Sequence, residues 1–287
     1  MNSGTVLKRG DNDDRNVWGG SKQTTSPAYT VRLLQADLKA IGVYSDTIDG
    51  GFGKNTERAV KIFQWCLKNS IQVVKNSALI TYTPTPTTML SGKHDSSTAT
   101  KLSNWITNKY LVTGDLVRIS TPNLSNIELS SGFKHIGKPI VSKTELVISK
   151  AAFPLIQLMN KSANSLKLTI YINQALRLHG VKVTGSVVPP ASKSQHLIGH
   201  AIDCNIVDGS SWNTSKDFKK KNQTANADKF IKAIKKGLYR WGGDFSQIDT
   251  PHFDKQLNAN TFDYDAKFFL NQKQLSSGDP IEKQLIP

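Results

Sequence analysis

The sequence predicts an α+β protein in two parts: a three-helix domain, followed by a domain with a small antiparallel sheet flanked by helices. Two observations predict this class. Apolar residues recur at helical spacing within residues 29–115, and segments rich in β-branched residues appear from residue 116 onward. Residues 1–28 are polar, with Gly, Ser, Thr and Asn clusters, and predict a lead-in segment. We therefore expect domains at 29–115 and 116–287.

Three amphipathic helices are predicted in the first domain. The first stops at Gly42, and the second follows a glycine-rich turn at residues 49–53. A stretch rich in Pro and Thr, residues 81–88, then breaks the chain. The third predicted helix runs from Ser96 to Tyr110, so the three helices can share one apolar core.

These helices resemble the peptidoglycan-binding three-helix domain that accompanies many cell-wall hydrolases. That family has LQxxL in its first helix, followed by DGxFGxxTxxAVxxFQ, and the matching segments here are 34–38 and 49–64. The motif residues have structural roles: the glycines allow positive φ in the turn, and Thr56 suits a helix start. The sequence departs from the family by an insertion at about 69–95. The resemblance implies peptidoglycan as a partner.

The second domain alternates between strand and helix patterns. Its predicted strands contain alternating or β-branched residues, and its predicted helices place apolar residues at 3.6-residue spacing. The predicted strands are 116–119, 146–148, 166–172 and 201–207, and the predicted helices are 150–160 and 227–238.

Charge and hydropathy narrow the function classes. The net charge is +15, from 37 basic and 22 acidic residues, which favours an anionic partner such as a cell wall. No zinc-finger spacing, RNA-binding signature or basic heptad accompanies this charge, so we expect no nucleic-acid partner. The Lys219-Lys220-Lys221 run is expected to be a solvated loop.

Membrane insertion is not expected, because no apolar run approaches the length of a spanning helix. The N-terminus lacks the apolar core of a secretory signal. We therefore expect synthesis in the cytoplasm without a signal peptide. Action in the periplasm or wall of a target bacterium would then follow release by a holin or a secretion system.

Two histidines four residues apart, His196 and His200, suggest a helical metalloprotease motif at first sight. The glutamate of that motif is absent, Gly199 interrupts the segment, and a β-branched run follows. We therefore predict a loop that carries His196 into a strand that carries Asp203. Strand alternation would turn Cys204 to the opposite face from Asp203, away from any metal.

The same segment resembles the zinc D-Ala-D-Ala peptidase and L-alanyl-D-glutamate endopeptidase family. This family shares its fold with lysostaphin-type peptidases and the hedgehog signalling domain, and it includes wall carboxypeptidases and phage endolysins. Its signature is SxHxxGxAxD followed by a late (D/E)xxH, and the resemblance extends over roughly residues 145–255. The matching residues are Ser194, His196, Gly199, Ala201, Asp203, Asp249 and His252.

The resemblance implies that His196, Asp203 and His252 bind one Zn²⁺. Two imidazoles and one carboxylate leave a fourth coordination position for water, as in catalytic zinc sites. It also implies that Asp249 is the general base and that Arg177 stabilises the oxyanion or holds a substrate carboxylate. Ser194 could orient a ligand or simply form a turn. His200, Asp244 and Asp254 are expected to be structural or solvated.

The predicted function is therefore zinc-dependent hydrolysis of peptidoglycan stem peptides. The residues from Trp241 to Phe253 resemble the endolysin branch and favour the L-Ala–D-Glu bond. D,D-carboxypeptidase or D,D-endopeptidase activity is the alternative, and a non-catalytic wall-binding or structural protein is an alternative of another class. The chain is expected to be a monomer, either a phage endolysin or a secreted antibacterial effector. An effector would require an immunity protein as a partner.

Overall fold

The structure is a computed structural model that describes residues 6–13, 30–84, 89–133, 144–181 and 191–284. The chain forms two compact units, Met1–Thr113 and Gly114–Pro287. Helices and strands occur in both, and the predicted α+β class is confirmed. Within the described residues, no helix combines the length and the apolar character that a membrane span requires.

Unit 1 contains the three predicted helices and a three-stranded sheet of order β2-β1-β3. The insertion before the third helix supplies the first two strands, which form an antiparallel hairpin. In chain order the elements are α1 (Val31–Ala40), α2 (Lys54–Lys68), β1 (Ile71–Lys75), β2 (Ala78–Tyr82), α3 (Ser96–Thr107) and β3 (Leu111–Val112).

The start of α2 differs from the expectation for Thr56. Gly53 is the N-cap of this helix, and Thr56 is its third residue. The Thr56 hydroxyl donates instead to the carbonyl of Gly51, 3.0 Å away, and is buried. Thr56 therefore ties the helix to the preceding turn and does not cap its first amide groups.

Gln35, in the LQxxL motif of α1, is the centre of a buried hydrogen-bond network. Its side chain is fully buried, and its Oε1 accepts from the Gly50 amide at 2.9 Å. Its Nε2 lies 2.8–3.1 Å from four oxygen atoms, those of Asp49 Oδ1, Gly51 O, Tyr44 Oη and Thr56 Oγ1. Since buried amides are costly unless they are hydrogen-bonded, this glutamine fixes the glycine turn against α1.

Gln64 repeats this arrangement at the end of the motif. Its Oε1 accepts from the Gly92 amide at 2.9 Å. Its Nε2 contacts Lys93 O, Ser91 Oγ and Thr98 Oγ1 at 2.9–3.2 Å. Gly50 and Gly92 both have positive φ, +80° and +70°. Unit 1 therefore contains an internal repeat of helix, buried glutamine and glycine turn, which the inserted hairpin separates in the sequence.

Unit 2 is built on a six-stranded sheet with the path β10-β11-β8-β7-β5, and β9 also pairs with β8. A second sheet has the order β12-β4-β6. The strands are β4 (Leu116–Ser120), β5 (Ile127–Leu129), β6 (Glu145–Ser149), β7 (Leu168–Gln174), β8 (Ala201–Asp208), β9 (Ser211–Asn213), β10 (Arg240–Trp241), β11 (His252–Asp254) and β12 (Glu282–Gln284). The helices are α4 (Phe153–Leu166), α5 (Ser215–Lys220), α6 (Ala225–Lys236) and α7 (Phe262–Ser277).

The pairings around β8 are antiparallel, as expected, but β5 pairs with β7 in parallel. A parallel pairing requires a long crossover, and here the chain passes through α4 before it returns in β7. The Lys219-Lys220-Lys221 run, expected as a loop, instead lies at the end of α5.

One face of the six-stranded sheet forms the core of unit 2. Ile170, Cys204 and Ile206 point into this core, where they join buried residues of α4 and α6. Cys204 thus lies on the opposite face from Asp203, as strand alternation predicts. The other face of β7 and β8 remains partly exposed, and Asp203 lies on this face.

Candidate metal centre

His196 lies on a short 3-10 helix, Gln195–Ile198, that ends at Gly199. Gly199 has a left-handed φ of +72°, which disfavours other residues. A Cβ at this position would also lie 2.6 Å from the Ser149 backbone nitrogen. The Ser149 amide donates to the Gly199 carbonyl at 2.9 Å, so the conformation and the close approach both require glycine.

Helix α7 holds this 3-10 helix in place from the far end of the chain. Its side chains donate to three carbonyl groups: Tyr264 to Ser194 (2.9 Å), Asn271 to Ile198 (3.0 Å) and Gln272 to Leu197 (2.6 Å). These bonds satisfy carbonyl groups that the short helix leaves free and fix the position of the His196 backbone.

Asp203 and His252 come from neighbouring strands. They are directly opposite each other in the β8–β11 pairing, so their side chains lie on the same face. His196 Nε2 is 3.1 Å from Asp203 Oδ1 and 3.2 Å from His252 Nδ1. His252 Nδ1 is 3.1 Å from the same Asp203 oxygen. The outermost of these three residues are 56 positions apart in the sequence, yet the three ligand atoms form a nearly equilateral triangle.

Hydrogen bonds on the far side of each ring assign the tautomers. His196 Nδ1 lies 2.7 Å from the carbonyl of Ala175, which can only accept, so Nδ1 carries the proton. His252 Nε2 lies 3.0 Å from the Asp254 carboxylate and likewise donates. In the neutral form of both rings, the nitrogen atoms that face each other therefore present lone pairs, together with a carboxylate oxygen. Such a set favours a cation at its centre.

The electrostatics of the centre favour positive charge. Burial acts to raise the pKa of Asp203, but the two imidazoles outweigh it and keep this carboxyl ionised. Burial acts to lower the pKa of His252, but Asp203 and Asp254 outweigh it and raise this pKa to about 9. A divalent cation supplies positive charge at the same point, and its binding displaces protons from the ligands.

The donor set and its dimensions fit zinc. Ligand atoms about 2.0–2.1 Å from a tetrahedral zinc lie roughly 3.3 Å apart, close to the observed 3.1–3.2 Å. Two histidines and one carboxylate occupy three positions and leave the fourth for water or substrate, as in catalytic sites. His196, Asp203 and His252 are therefore residues that can hold zinc together.

Asp254 is a site residue that the sequence analysis did not identify, since it was expected to be structural or solvated. Its carboxylate is completely buried and contacts the ligand residue His252. Arg240 holds it through two hydrogen bonds, of 2.8 Å from Nε and 2.6 Å from Nη2. The arrangement orients the His252 ring, because a paired and fixed carboxylate accepts its outer N–H. The only signal in the sequence was the two-residue spacing that places both on one face of β11.

Asp249 lies next to the ligand triangle. Its Oδ2 is 4.0 Å from His252 Nδ1, and burial together with the charge of Asp203 raises its pKa. The Asp249 amide donates to the Gly242 carbonyl at 2.9 Å. A Cβ on Gly242 would overlap the Asp249 carbonyl, so glycine permits this close approach. The Trp241 indole donates to the Thr250 carbonyl at 2.8 Å, which fixes the same loop.

Arg177 is buried, with 5% of its surface exposed, and is not an ordinary surface arginine. Its backbone amide donates to the His196 carbonyl at 3.0 Å, and its Nη1 lies 3.4 Å from Gln174 Oε1. Burial lowers its pKa, while the charge of Asp203 opposes this effect. The structure thus places a buried positive charge beside the metal centre.

The remaining candidates lie outside the ligand set. Ser194 accepts the His196 amide with its hydroxyl at 3.3 Å and begins the 3-10 helix, so its contact is that of a turn serine. His200 hydrogen-bonds to the Lys255 carbonyl at 3.0 Å, and burial lowers its pKa to about 4. Asp244 forms an exposed ion pair with Lys235.

Two family matches agree with this architecture. Residues 189–255 match a family model described as D-alanyl-D-alanine carboxypeptidase, and residues 28–68 match one described as a peptidoglycan binding domain. No match to a curated protein accompanies them. The first match spans all three ligand residues and Asp249, and the second spans both buried glutamines. The chain carries a zinc metallopeptidase domain and a peptidoglycan-binding domain, and zinc is its cofactor.

Proposed function

We propose that the protein hydrolyses the L-Ala–D-Glu amide of peptidoglycan stem peptides. The observation that carries the proposal is the zinc-compatible triangle with a carboxylate, Asp249, 4.0 Å from one of its corners. The choice of bond is supported by the segment from Trp241 to Phe253, whose sequence resembles the endolysin branch of the family. In this segment Trp241 and Gly242 hold the loop that carries Asp249.

Each residue has a role that its position supports. Bound zinc lowers the pKa of a water molecule and polarises the scissile carbonyl. Asp249 accepts the proton of the attacking water and returns it to the leaving amine. The buried guanidinium of Arg177 either stabilises negative charge that develops on the carbonyl oxygen or binds a substrate carboxylate.

Unit 1 is proposed to keep the enzyme on its insoluble substrate. A cavity of about 590 Å³ lies beside the glycine turn that Gln35 holds, and Tyr44, Asp46 and Phe52 are among the residues that line it. Tethering to the polymer raises the effective concentration of stem peptides around unit 2. The net charge of +15 favours the same anionic envelope.

The biological setting is also a proposal. The protein acts as a monomer in the periplasm or wall of a target bacterium, as an endolysin or an antibacterial effector. An effector needs an immunity protein in the producing cell, and such an inhibitor would have to cover Asp249 and the residues that can hold zinc.

D,D-carboxypeptidase activity is the second candidate, and the match to a family model described as D-alanyl-D-alanine carboxypeptidase favours it. Digestion of purified sacculi followed by mass spectrometry distinguishes the two. We expect cleavage between L-Ala and D-Glu, loss of this product with chelator, and its recovery with zinc. Release of free D-Ala with the L-Ala–D-Glu bond intact would replace the proposed bond with the second candidate.

The same digestion tests the non-catalytic alternative. Asp249→Ala should reduce product formation by about 10²–10⁴-fold, the usual contribution of a general base. Asp244→Ala is the matched control, because Asp244 lies in the same segment but forms only an exposed ion pair, and it should retain activity. Equal activity in the two variants would remove Asp249 from the mechanism, and no hydrolysis by the zinc-loaded wild type would favour a binding module.

A further inference from the structure

The exposed face of the β7–β8–β9 region carries side chains that the proposed mechanism does not use. Along β8, Asp203, Asn205 and Val207 alternate with core residues and therefore share the outer face. Asp203 is a metal ligand, so this face is continuous with the metal centre. Tyr171 is opposite Asn205, and Trp212 is opposite Val207.

Tyr171 and Trp212 form a stacked aromatic pair on this face. Their ring centroids are 5.0 Å apart and their planes differ by 28°. On one side of the pair, Tyr171 is opposite Glu128 of β5, and burial together with this neighbouring carboxylate raises the pKa of the Tyr171 hydroxyl. Trp212 nevertheless remains 51% exposed, which is unusual for a residue that normally buries most of its surface. Stacking holds the indole in place while one of its surfaces faces solvent.

The distance from the metal centre can be estimated from the strand geometry. Val207 follows Asp203 by four residues, so Trp212 lies about 13 Å from the ligand position along the strand. A substrate bound across the zinc ligands can therefore extend along β8 and reach the aromatic pair within a few residue lengths.

We propose that Tyr171 and Trp212 form a subsite for an N-acetylhexosamine ring of the glycan strand. A hexosamine has an apolar face of C–H groups that packs on an exposed ring, and polar edges that require hydrogen bonds. Asn205 and Glu128, which flank the pair on the same face, provide an amide and a carboxylate for these edges. The inference rests on the proposed function and extends it from the cleaved bond to the sugar that carries the stem peptide.

The reach of the substrate favours a sugar at this position when the cleaved bond is close to the glycan. The L-Ala–D-Glu amide is about two residue lengths from the sugar, or roughly 7 Å. The D-Ala–D-Ala amide is about five residue lengths away, or roughly 17 Å, before the width of the sugar ring is added. A spacing of about 13 Å suits the shorter connection plus a sugar ring, whereas the longer one would have to fold back.

The test compares two soluble substrates: a disaccharide-tetrapeptide and the same N-acetylated tetrapeptide without sugar. Trp212→Ala should raise KM for the sugar-bearing substrate by about tenfold and leave the kinetics on the sugar-free peptide unaltered. Trp212→Phe should keep KM for the sugar-bearing substrate close to that of the wild type, because phenylalanine retains an aromatic face. Leu238→Ala is the control, since Leu238 is a 92% exposed apolar residue on another part of the unit.

A binding measurement separates this proposal from the choice of cleaved bond. The free GlcNAc–MurNAc disaccharide is titrated into the zinc-loaded full chain, and the indole N–H signal of Trp212, assigned with Trp212→Phe, is followed by NMR. A saturable shift supports the subsite even if the products show cleavage elsewhere, in which case the proposed function alone fails. Cleavage at L-Ala–D-Glu with no shift, or with equal effects of Trp212→Ala on both substrates, would overturn the subsite alone.

Discussion

In unit 1 the motif side chains are satisfied by the fold itself, whereas in unit 2 the motif side chains direct their lone pairs at one another. Gln35 uses both of its polar atoms on the turn at residues 49–51 and on neighbouring hydroxyls. His196 and His252 instead use one nitrogen each for support and leave the other facing Asp203. Both sets are buried or nearly buried, so burial does not distinguish them.

The difference teaches how to separate a motif that specifies a fold from one that specifies chemistry. A buried donor that finds acceptors lowers the free energy of the folded state without any ligand. Three acceptor atoms 3.1–3.2 Å apart repel one another unless a cation or a proton lies between them. The first arrangement is complete in the chain alone, and the second requires a partner from solution.

Replacement of a ligand residue should give the largest effect that follows from this contrast. His196→Ala should lower kcat/KM for stem peptides by at least about 10³-fold, because the bound metal supplies several kcal/mol of transition-state stabilisation. It should also abolish the rise in Tm that zinc gives the wild type, since that rise reports binding to the folded state alone. Hydrolysis assays and calorimetry with and without zinc measure both quantities.

His200→Ala is the matched histidine control. His200 is as buried as His196 but hydrogen-bonds to a carbonyl and lies outside the triangle. This variant can lose stability, yet it should keep the zinc-dependent rise in Tm. If His200→Ala removed the zinc effect and His196→Ala did not, the helical interpretation of the two histidines would be right and the triangle wrong.

Replacement of a buried glutamine tests the other side of the contrast. Gln35→Ala should destabilise unit 1 by about 2–4 kcal/mol, because a buried Gly50 amide and several oxygen atoms lose their partner. Hydrolysis of a soluble stem peptide should not change. Chemical denaturation followed by the indole N–H NMR signals of Trp65 and Trp105, both in unit 1, measures the first effect.

The internal repeat supplies the matched variant for this experiment. Gln64→Ala removes the equivalent network around Gly92 and should destabilise unit 1 by a similar amount. Asn104→Ala, at an exposed position of α3, should have little effect. If Gln35→Ala changed the peptidase kinetics on the soluble peptide without changing the unfolding of unit 1, Gln35 would have a role in the chemistry. The motif of unit 1 would then not be purely structural.

Local patterns were sufficient to predict the helices of unit 1 and the strand β8 that carries Asp203, but not the short strand β11 that carries His252. The 3.6-residue and two-residue periods of apolar residues are properties of short segments, and so is the SxHxxGxAxD motif. The repeat in unit 1 was missed because the hairpin β1–β2 separates its two halves. The sequence pattern indicates residues 69–95 as an insertion but does not indicate that they contain a hairpin.

The hydrogen bonds that hold the ligand residues in place could not be predicted, for a different reason. Gln272 reaches Leu197 across 75 positions, and Arg240 reaches Asp254 across 14, so no local pattern records these bonds. Arg177 was predicted from its place in the family pattern, but its burial depends on tertiary packing. Sequence therefore predicted the three residues that the structure brings together as a possible metal site, and it left unpredicted most of the atoms that support them.

Asp254→Asn should give the smallest of these effects and makes the contrast sharper. Asp254 belongs to the fold in the manner of Gln35, since its oxygens are bonded internally, yet it acts on a ligand of the metal. The amide keeps the shape of the carboxylate but removes its charge, which weakens the orientation and basicity of His252. Zinc affinity should fall by about 10–100-fold, as is usual when the group behind a metal-bound histidine is altered.

Competition with a chromophoric chelator measures this affinity, with Asp244→Asn as the exposed control. Activity at saturating zinc should remain well above that of His196→Ala, because the three ligand atoms are still present. Unchanged zinc affinity with a large loss of stability would show that Asp254 has only a structural role. A loss of zinc affinity with a nearly unchanged free energy of unfolding would instead show that this buried, hydrogen-bonded carboxylate contributes more to zinc binding than to the stability of the fold.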